Sequence, residues 1–228
     1  MLKAVFFDFD GTVVKFMFNA QKALTEIIDV YAKSGLPQNL LTPDLRISEI
    51  LNKVEEYLNA NPSKGDKERA EAFREKTLQV IEKYEMESAI STTLIDGVAA
   101  VLEELKEKGL KLVVITNNSE KPMRHALQKV GLNGFFDLVL TRGSTQFIKP
   151  SPQPIQEALK RLKIHPSEAA FVGDSPIDVR AAHEAGVLAI GITTGVSDEK
   201  VLKTNGAEHV VSSMKELVPI IMGHRLVS

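Results

Sequence analysis

Apolar and polar positions along the chain fall into two textures. In residues 1–7, and again from about 96 onward, short apolar runs alternate with stretches whose apolar residues recur at helical spacing. The runs are Ala4-Val5-Phe6-Phe7, 110–115, Leu138-Val139-Leu140, Ala169-Ala170-Phe171-Val172 and 187–192. Nearly continuous apolar runs of this length predict strands buried on both faces of a parallel sheet. Helices are predicted between them at 97–108, 121–130, 154–162 and 176–185; in the first, Val98, Val101, Leu102 and Leu105 form one stripe. Gly109, Gly131 and Gly186 follow these helices, where a residue tolerant of positive φ is favoured. The alternation predicts an α/β core with a doubly wound, Rossmann-like parallel sheet.

Residues 15–92 read differently. Helical patterns cover 20–32, 47–58 and 67–84, broken at Ser34-Gly35-Leu36-Pro37 and at 59–65, with no convincing strand pair. The charge-dense stretch 64–87 mixes signs and is interleaved with apolar residues, so it predicts a solvated amphipathic helix. An all-helical insert, 15–92, is thus expected within an α/β core formed by 1–14 and 93–228.

Composition narrows the function classes. Of 228 residues, 43% are hydrophobic and 25% charged, ordinary values for a soluble protein, and the formal net charge of −2 gives no electrostatic reason to expect nucleic acid or an anionic membrane as partner. There is no cysteine, which excludes disulfides and thiolate metal sites. The first apolar run is too short for a signal peptide and carboxylates follow it at once; no apolar stretch approaches the ~18 residues of a membrane span. A cytoplasmic protein is expected.

The candidate chemistry lies where predicted strands end, the edge at which open α/β sheets bind ligands. Asp8 and Asp10, in Asp8-Phe9-Asp10-Gly11-Thr12, follow the first strand and point to one side by strand alternation. Alone, the segment is equally well a polar turn. The second strand ends in Thr116-Asn117-Asn118-Ser119, with hydroxyls and N–H groups placed for anionic oxygens; Asn118 or Ser119 also suits a helix N-cap. Lys149, before Pro150, follows the third strand. The fourth ends in Gly173-Asp174-Ser175-Pro176-Ile177-Asp178, where Ser175 and Asp178 spell a capping box that leaves Asp174 unexplained. Converging carboxylates repel one another, and a hard divalent cation such as Mg2+ relieves the conflict. Lys149 and the Thr116 hydroxyl would bind phosphate oxygens. Together these groups describe phosphoryl transfer.

These four blocks, in this order, resemble the haloacid dehalogenase-like (HAD) hydrolase superfamily, near its phosphoglycolate phosphatase and β-phosphoglucomutase branch. The similarity covers about 1–14 and 93–212 and includes Ala181-Ala182-His183-Glu184-Ala185-Gly186. The resemblance implies that Asp8 attacks phosphorus and becomes an aspartyl phosphate, while Asp10 protonates the leaving group and then activates water. It implies that Thr116, the Asn117 backbone and Lys149 hold the phosphoryl group. Mg2+ is then held by Asp8, Asp174 and the Asp10 carbonyl, with Asp178 supporting a metal-bound water, and 15–92 is a helical cap. The expected activity is Mg2+-dependent hydrolysis of a small phosphorylated metabolite.

A phosphomutase shares all four blocks and is the nearest alternative; a catalytically silent binding protein on the same fold is a third. Dehalogenases of the superfamily lack the second aspartate, so Asp10 points to phosphate. Lys15 and Arg46 are candidates for a substrate carboxylate or second phosphate, although exposed surface positions account for both. Surface or helix-face roles are likewise expected for Arg142 and Arg180. Phe16, Met17 and Phe18 are expected to pack the cap or its hinge.

Overall fold

The structure, a computed structural model, describes residues 1–37, 40, 47–61 and 63–224. The chain divides into two compact units, Met1–Met17 with Ala89–Ser228, and Phe18–Ser88.

The larger unit is a parallel sheet of six strands: β1 (Ala4–Phe7), β2 (Lys111–Ile115), β3 (Leu138–Leu140), β4 (Ala169–Gly173), β5 (Leu188–Ile192) and β6 (His209–Val211). Their order is β3-β2-β1-β4-β5-β6. Between the strands run α4 (Val98–Glu107), α5 (Glu120–Lys129), α6 (Gln153–Leu162), α7 (Pro176–Ala185) and α8 (Glu199–Thr204), with α9 (Leu217–Gly223) last. Strand alternation sorts the core into two layers. Val5, Phe7, Leu112, Val114 and Val172 pack with Val101, Leu102, Leu105, Met123 and Leu217, from α4, α5 and α9. Ala4, Phe6, Val113, Ile115 and Phe171 pack on the other face with Ile155, Leu159, Val179 and Ala182, from α6 and α7. Helices covering both faces explain why strand sequences are continuously apolar instead of alternating.

β1 sits at the centre, with Phe7 in register with Val114 of β2 and Val172 of β4. The strand order reverses direction here, and the crevice outside the strand ends at such a point is where open α/β sheets hold ligands. The helix-ending glycines adopt the expected conformation, with φ of 81° at Gly109, 75° at Gly131 and 72° at Gly186. β6, α8 and α9 escaped sequence reading: β6 is three residues between polar neighbours, α8 spans six and α9 seven, too short for either period to emerge.

The smaller unit contains α1 (Ala20–Ala32), α2 (Ile47–Ala60) and most of α3 (Lys64–Ser91). Ala70, Phe73, Val80, Ile81 and Tyr84 on α3 join Ala23, Ile27 and Tyr31 of α1 and Ile50 and Val54 of α2 in a core of its own. The Tyr31 and Phe73 rings meet edge to face, centroids 5.3 Å apart, and the Tyr31 hydroxyl donates to the Pro37 carbonyl at 2.6 Å. α3 outruns its expected span of 67–84, and Ala89 on its last turn is buried in the larger unit's core. No helix among the described residues is long and apolar enough to cross a membrane.

Candidate active site

Asp8 directly follows β1, held by its own N–H donating to the Val172 carbonyl of β4 at 2.9 Å. The chain then turns tightly: the N–H groups of Val13 and Val14 both donate to the Phe9 carbonyl, and Gly11 N–H to Val14, while Phe9 buries in the core. Both backbone ends of Asp10 are fixed by this turn. β4 delivers Asp174 at its end, and the first turn of α7 delivers Asp178, whose Oδ2 accepts the Ser175 N–H at 3.1 Å in the expected capping box.

Asp8, Asp174 and Asp178 each offer a carboxylate oxygen within 4.8 Å of the others, and all three are buried. Lys149 stands among them, itself 2% exposed. Its Nζ donates to Asp8 Oδ1 at 2.6 Å and lies 2.7 Å from Asp178 Oδ1. The second contact is an ion pair without hydrogen-bond alignment. The ammonium also lies 5.3 Å from the Phe171 ring centroid.

The electrostatics follow from burial. Burial pushes the Asp8 carboxyl well above the usual carboxylate range; Lys149 pulls it back and the Asp178 and Asp174 charges add to the rise. Burial and then the Asp178 charge push Asp174 up to about 6, against an N–H bond from Val196. Burial alone would lower the Lys149 ammonium, but Asp178 and Asp8 hold it above its ordinary value. Three carboxylates against one ammonium leave an excess of negative charge in a dry place. The all-oxygen donor set fits a hard divalent cation, which would relieve that excess.

The crowding at Asp174 sets a sign for stability in EDTA. The folded chain keeps a proton on Asp174 up to about 6, whereas the usual value is 3.8. For a carboxyl raised on folding, the stability contribution is present at low pH and lost as pH rises across that window. Relative to Asp174→Asn, the wild type is expected to lose on the order of 2–3 kcal/mol between about pH 4 and about pH 6, and nothing further above it. Urea unfolding of both proteins across this range reads the difference; a flat difference contradicts the crowding.

The loop after β5 completes the cradle, and sequence reading missed it. Val196 N–H donates to Asp174 Oδ2 at 2.7 Å, and the Thr194 hydroxyl donates to the Gly11 carbonyl at 2.7 Å. A Cβ at Gly195 would lie 1.9 Å from Asp174 Oδ2, and one at Gly11, whose φ is +83°, would lie 2.6 Å from it. Only glycine leaves room at either place. The signal was present in Thr193-Thr194-Gly195, polar residues with a glycine at the end of a predicted strand.

Other expected residues are placed as follows. Thr116 is buried, and its hydroxyl accepts the Asn118 N–H at 3.1 Å. The Asn117 side chain clasps the backbone of Lys149, Nδ2 donating to its carbonyl at 2.9 Å and Oδ1 accepting its N–H at 3.1 Å. The Lys149–Pro150 bond is cis. Asp10 is half-buried, its carboxylate outside the buried trio, and Asn118 Nδ2 donates to its Oδ2 at 2.5 Å. Ser119 occupies the N-cap position of α5, and its Oγ accepts from Arg142, which is half-buried and not simply a surface residue. Lys15 is exposed, and Arg180 is exposed and bonded to Pro176 of its own helix. Arg46 lies outside the described residues.

The sequence profile of the family described as haloacid dehalogenase-like hydrolase matches residues 2–186. The chain is 32% identical over 227 residues to a phosphoglycolate phosphatase of Chromobacterium violaceum, covering 96% of each. It is 27% identical over 218 residues to the pyrophosphatase PpaX of Bacillus velezensis, covering 95% of each. Among solved structures it is similar to that of a predicted phosphoglycolate phosphatase from Haemophilus somnus, with a TM-score of 0.67 at 23% identity over 96% of this chain and 97% of that one. At that identity the similarity speaks to the fold.

Proposed function

The chain belongs to the haloacid dehalogenase-like hydrolase family, and from that premise we propose that it is a Mg2+-dependent phosphatase that hydrolyses a small phosphate monoester through an aspartyl phosphate on Asp8. The observation that carries this is the buried Asp8 carboxylate, 2.6 Å from the Lys149 ammonium and grouped with Asp174 and Asp178. Phosphatase names among its relatives, phosphoglycolate phosphatase and pyrophosphatase, point the same way.

Asp8, Asp174 and the Asp10 carbonyl would hold Mg2+, with Asp178 supporting its water. When bound, the ion supplies positive charge that lets carboxylate and phosphate approach each other. A carboxylate oxygen of Asp8 forms a bond to phosphorus as the ester P–O bond breaks. The departing oxygen takes the bonding pair and receives the proton of Asp10, leaving as an alcohol. Water then attacks the aspartyl phosphate, giving its proton back to Asp10. The bond from Asp8 to phosphorus breaks, and phosphate leaves with both residues restored. Lys149 neutralises charge on Asp8 and on the phosphoryl oxygens, and Thr116 and the Asn117 backbone hold those oxygens.

The helical stretch 15–92 serves as the cap that contacts the leaving group and so sets specificity, with 1–14 and 93–228 as the catalytic core. The absence of cysteine suits a reducing cytoplasm. The test is phosphate release from phosphoglycolate, sugar phosphates, nucleotides and pyrophosphate, with Mg2+ and with EDTA. Mg2+-dependent release from at least one ester is expected. No release from any overturns the proposal, and isomerisation of a sugar phosphate without release reassigns the chain as a phosphomutase.

A further inference from the structure

We propose that Asn118 is the positioning residue for Asp10, aiming its carboxyl at the leaving oxygen. The inference rests on the aspartyl-phosphate chemistry proposed above, in which Asp10 is the proton donor. The Phe9-centred turn fixes the backbone on both sides of Asp10, and side-chain contacts set the direction of its carboxyl. Asn118 Nδ2 donates to Asp10 Oδ2, a contact reaching across 108 positions of sequence.

Asn118 is itself anchored at both ends. Its N–H donates to the Thr116 hydroxyl at 3.1 Å, and its carbonyl accepts the Arg142 N–H at 2.9 Å. With the main chain pinned on both sides, the base of the Asn118 side chain is held in place within reach of Asp10. Arg142 adds a further link, from its guanidinium to the Ser119 hydroxyl at 2.7 Å. The β2 and β3 loops are thereby joined into one support. A donor on Oδ2 fixes the plane of the carboxyl and so the direction in which it delivers a proton. Misplacement of a catalytic group by about 1 Å is enough to cost on the order of 100-fold. The backbone bonds of Asn118 already close its loop, so the amide's contact with Asp10 is not needed to hold it.

The test uses two aryl esters of similar shape in saturating Mg2+. Phenyl phosphate has a strongly basic leaving group that needs the Asp10 proton; p-nitrophenyl phosphate has one that needs it much less. kcat/KM, which reports the first half-reaction, is measured for wild type, Asp10→Asn, Asn118→Ala and Asn118→Ser. The serine variant keeps a polar loop residue too short to reach Asp10, and covers the case in which Asn118→Ala fails to fold. Both Asn118 variants are expected to lose about 10-fold more on phenyl than on p-nitrophenyl phosphate, a fraction of the ~10²–10⁴ that general acid catalysis supplies. Asp10→Asn should show the same bias, larger. Equal losses on both esters in the Asn118 variants, with the bias intact in Asp10→Asn, overturn the role of Asn118. Equal losses in Asp10→Asn overturn the assignment of Asp10 as acid instead.

Discussion

Replacing Asp8 with asparagine is expected to lower turnover by at least ~10⁴-fold, the scale seen when a sole nucleophile is removed, while the protein stays folded. An amide oxygen is a far weaker nucleophile than a carboxylate. The other two buried carboxylates cannot substitute, since Asp178 is tied into its helix cap and Asp174 is held by the Val196 N–H. Stability should not fall with activity. Burial holds the Asp8 carboxyl well above its usual range, so the charge is costly where it stands. A neutral amide of the same shape relieves that cost, and Lys149 keeps its contact with Asp178. Melting in EDTA should therefore be unchanged or higher than wild type. Persistent turnover of the purified variant would remove Asp8 from the mechanism.

The second large effect is expected at Lys149, and here stability and activity should fall together. Lys149→Met keeps the length of the side chain but deletes the only cation seen to contact Asp8 and Asp178 among the described residues. Breaking a buried ion pair from one side leaves uncompensated charge and costs about 3–5 kcal/mol. For a chain of this size that lowers Tm by roughly 10 °C. Part of the loss should return as Asp174 takes up its proton below about pH 6, the value to which it is raised. Turnover should drop by about 10²–10³-fold, as for loss of one preorganised electrostatic contact to a developing charge. Urea unfolding in EDTA and phosphate release in Mg2+ measure the two effects. An unchanged midpoint would mean that Lys149 does not balance the cluster.

Much of the α/β unit was legible because both-face burial leaves a local trace. Ala4-Val5-Phe6-Phe7 and Ala169-Ala170-Phe171-Val172 are read as buried strands with no knowledge of their neighbours. The heptad-like spacing of Val98, Val101, Leu102 and Leu105 likewise needs only itself. β6 was not legible: three residues at a sheet edge with polar flanks carry no period, and only pairing with β5 makes His209–Val211 a strand. At the site, Asp174 stood out because a carboxylate ending an apolar strand lacked a local explanation, whereas the Asp8 segment alone was equally well a polar turn and gained its meaning from the other strand ends. Asp178 did have a local explanation, and its capping box is present. Its second contact, with Lys149, depends on a segment 29 positions away and had no local sign. The amides of Asn117 and Asn118 were equally silent, since asparagine in a loop before a helix is ordinary.

By itself, then, the sequence determined which residues stand at strand ends, since hydrophobic period and strand alternation act over a few residues. Only the tertiary structure decided which ends meet. Strand order is a non-local outcome of packing: β1 lies between β2 and β4, so Asp8 and Asp174 face each other while Lys149 reaches in from the loop after β3. The same holds for Gly195 and Gly11, whose missing side chains acquire meaning only once the Asp174 carboxylate occupies that space.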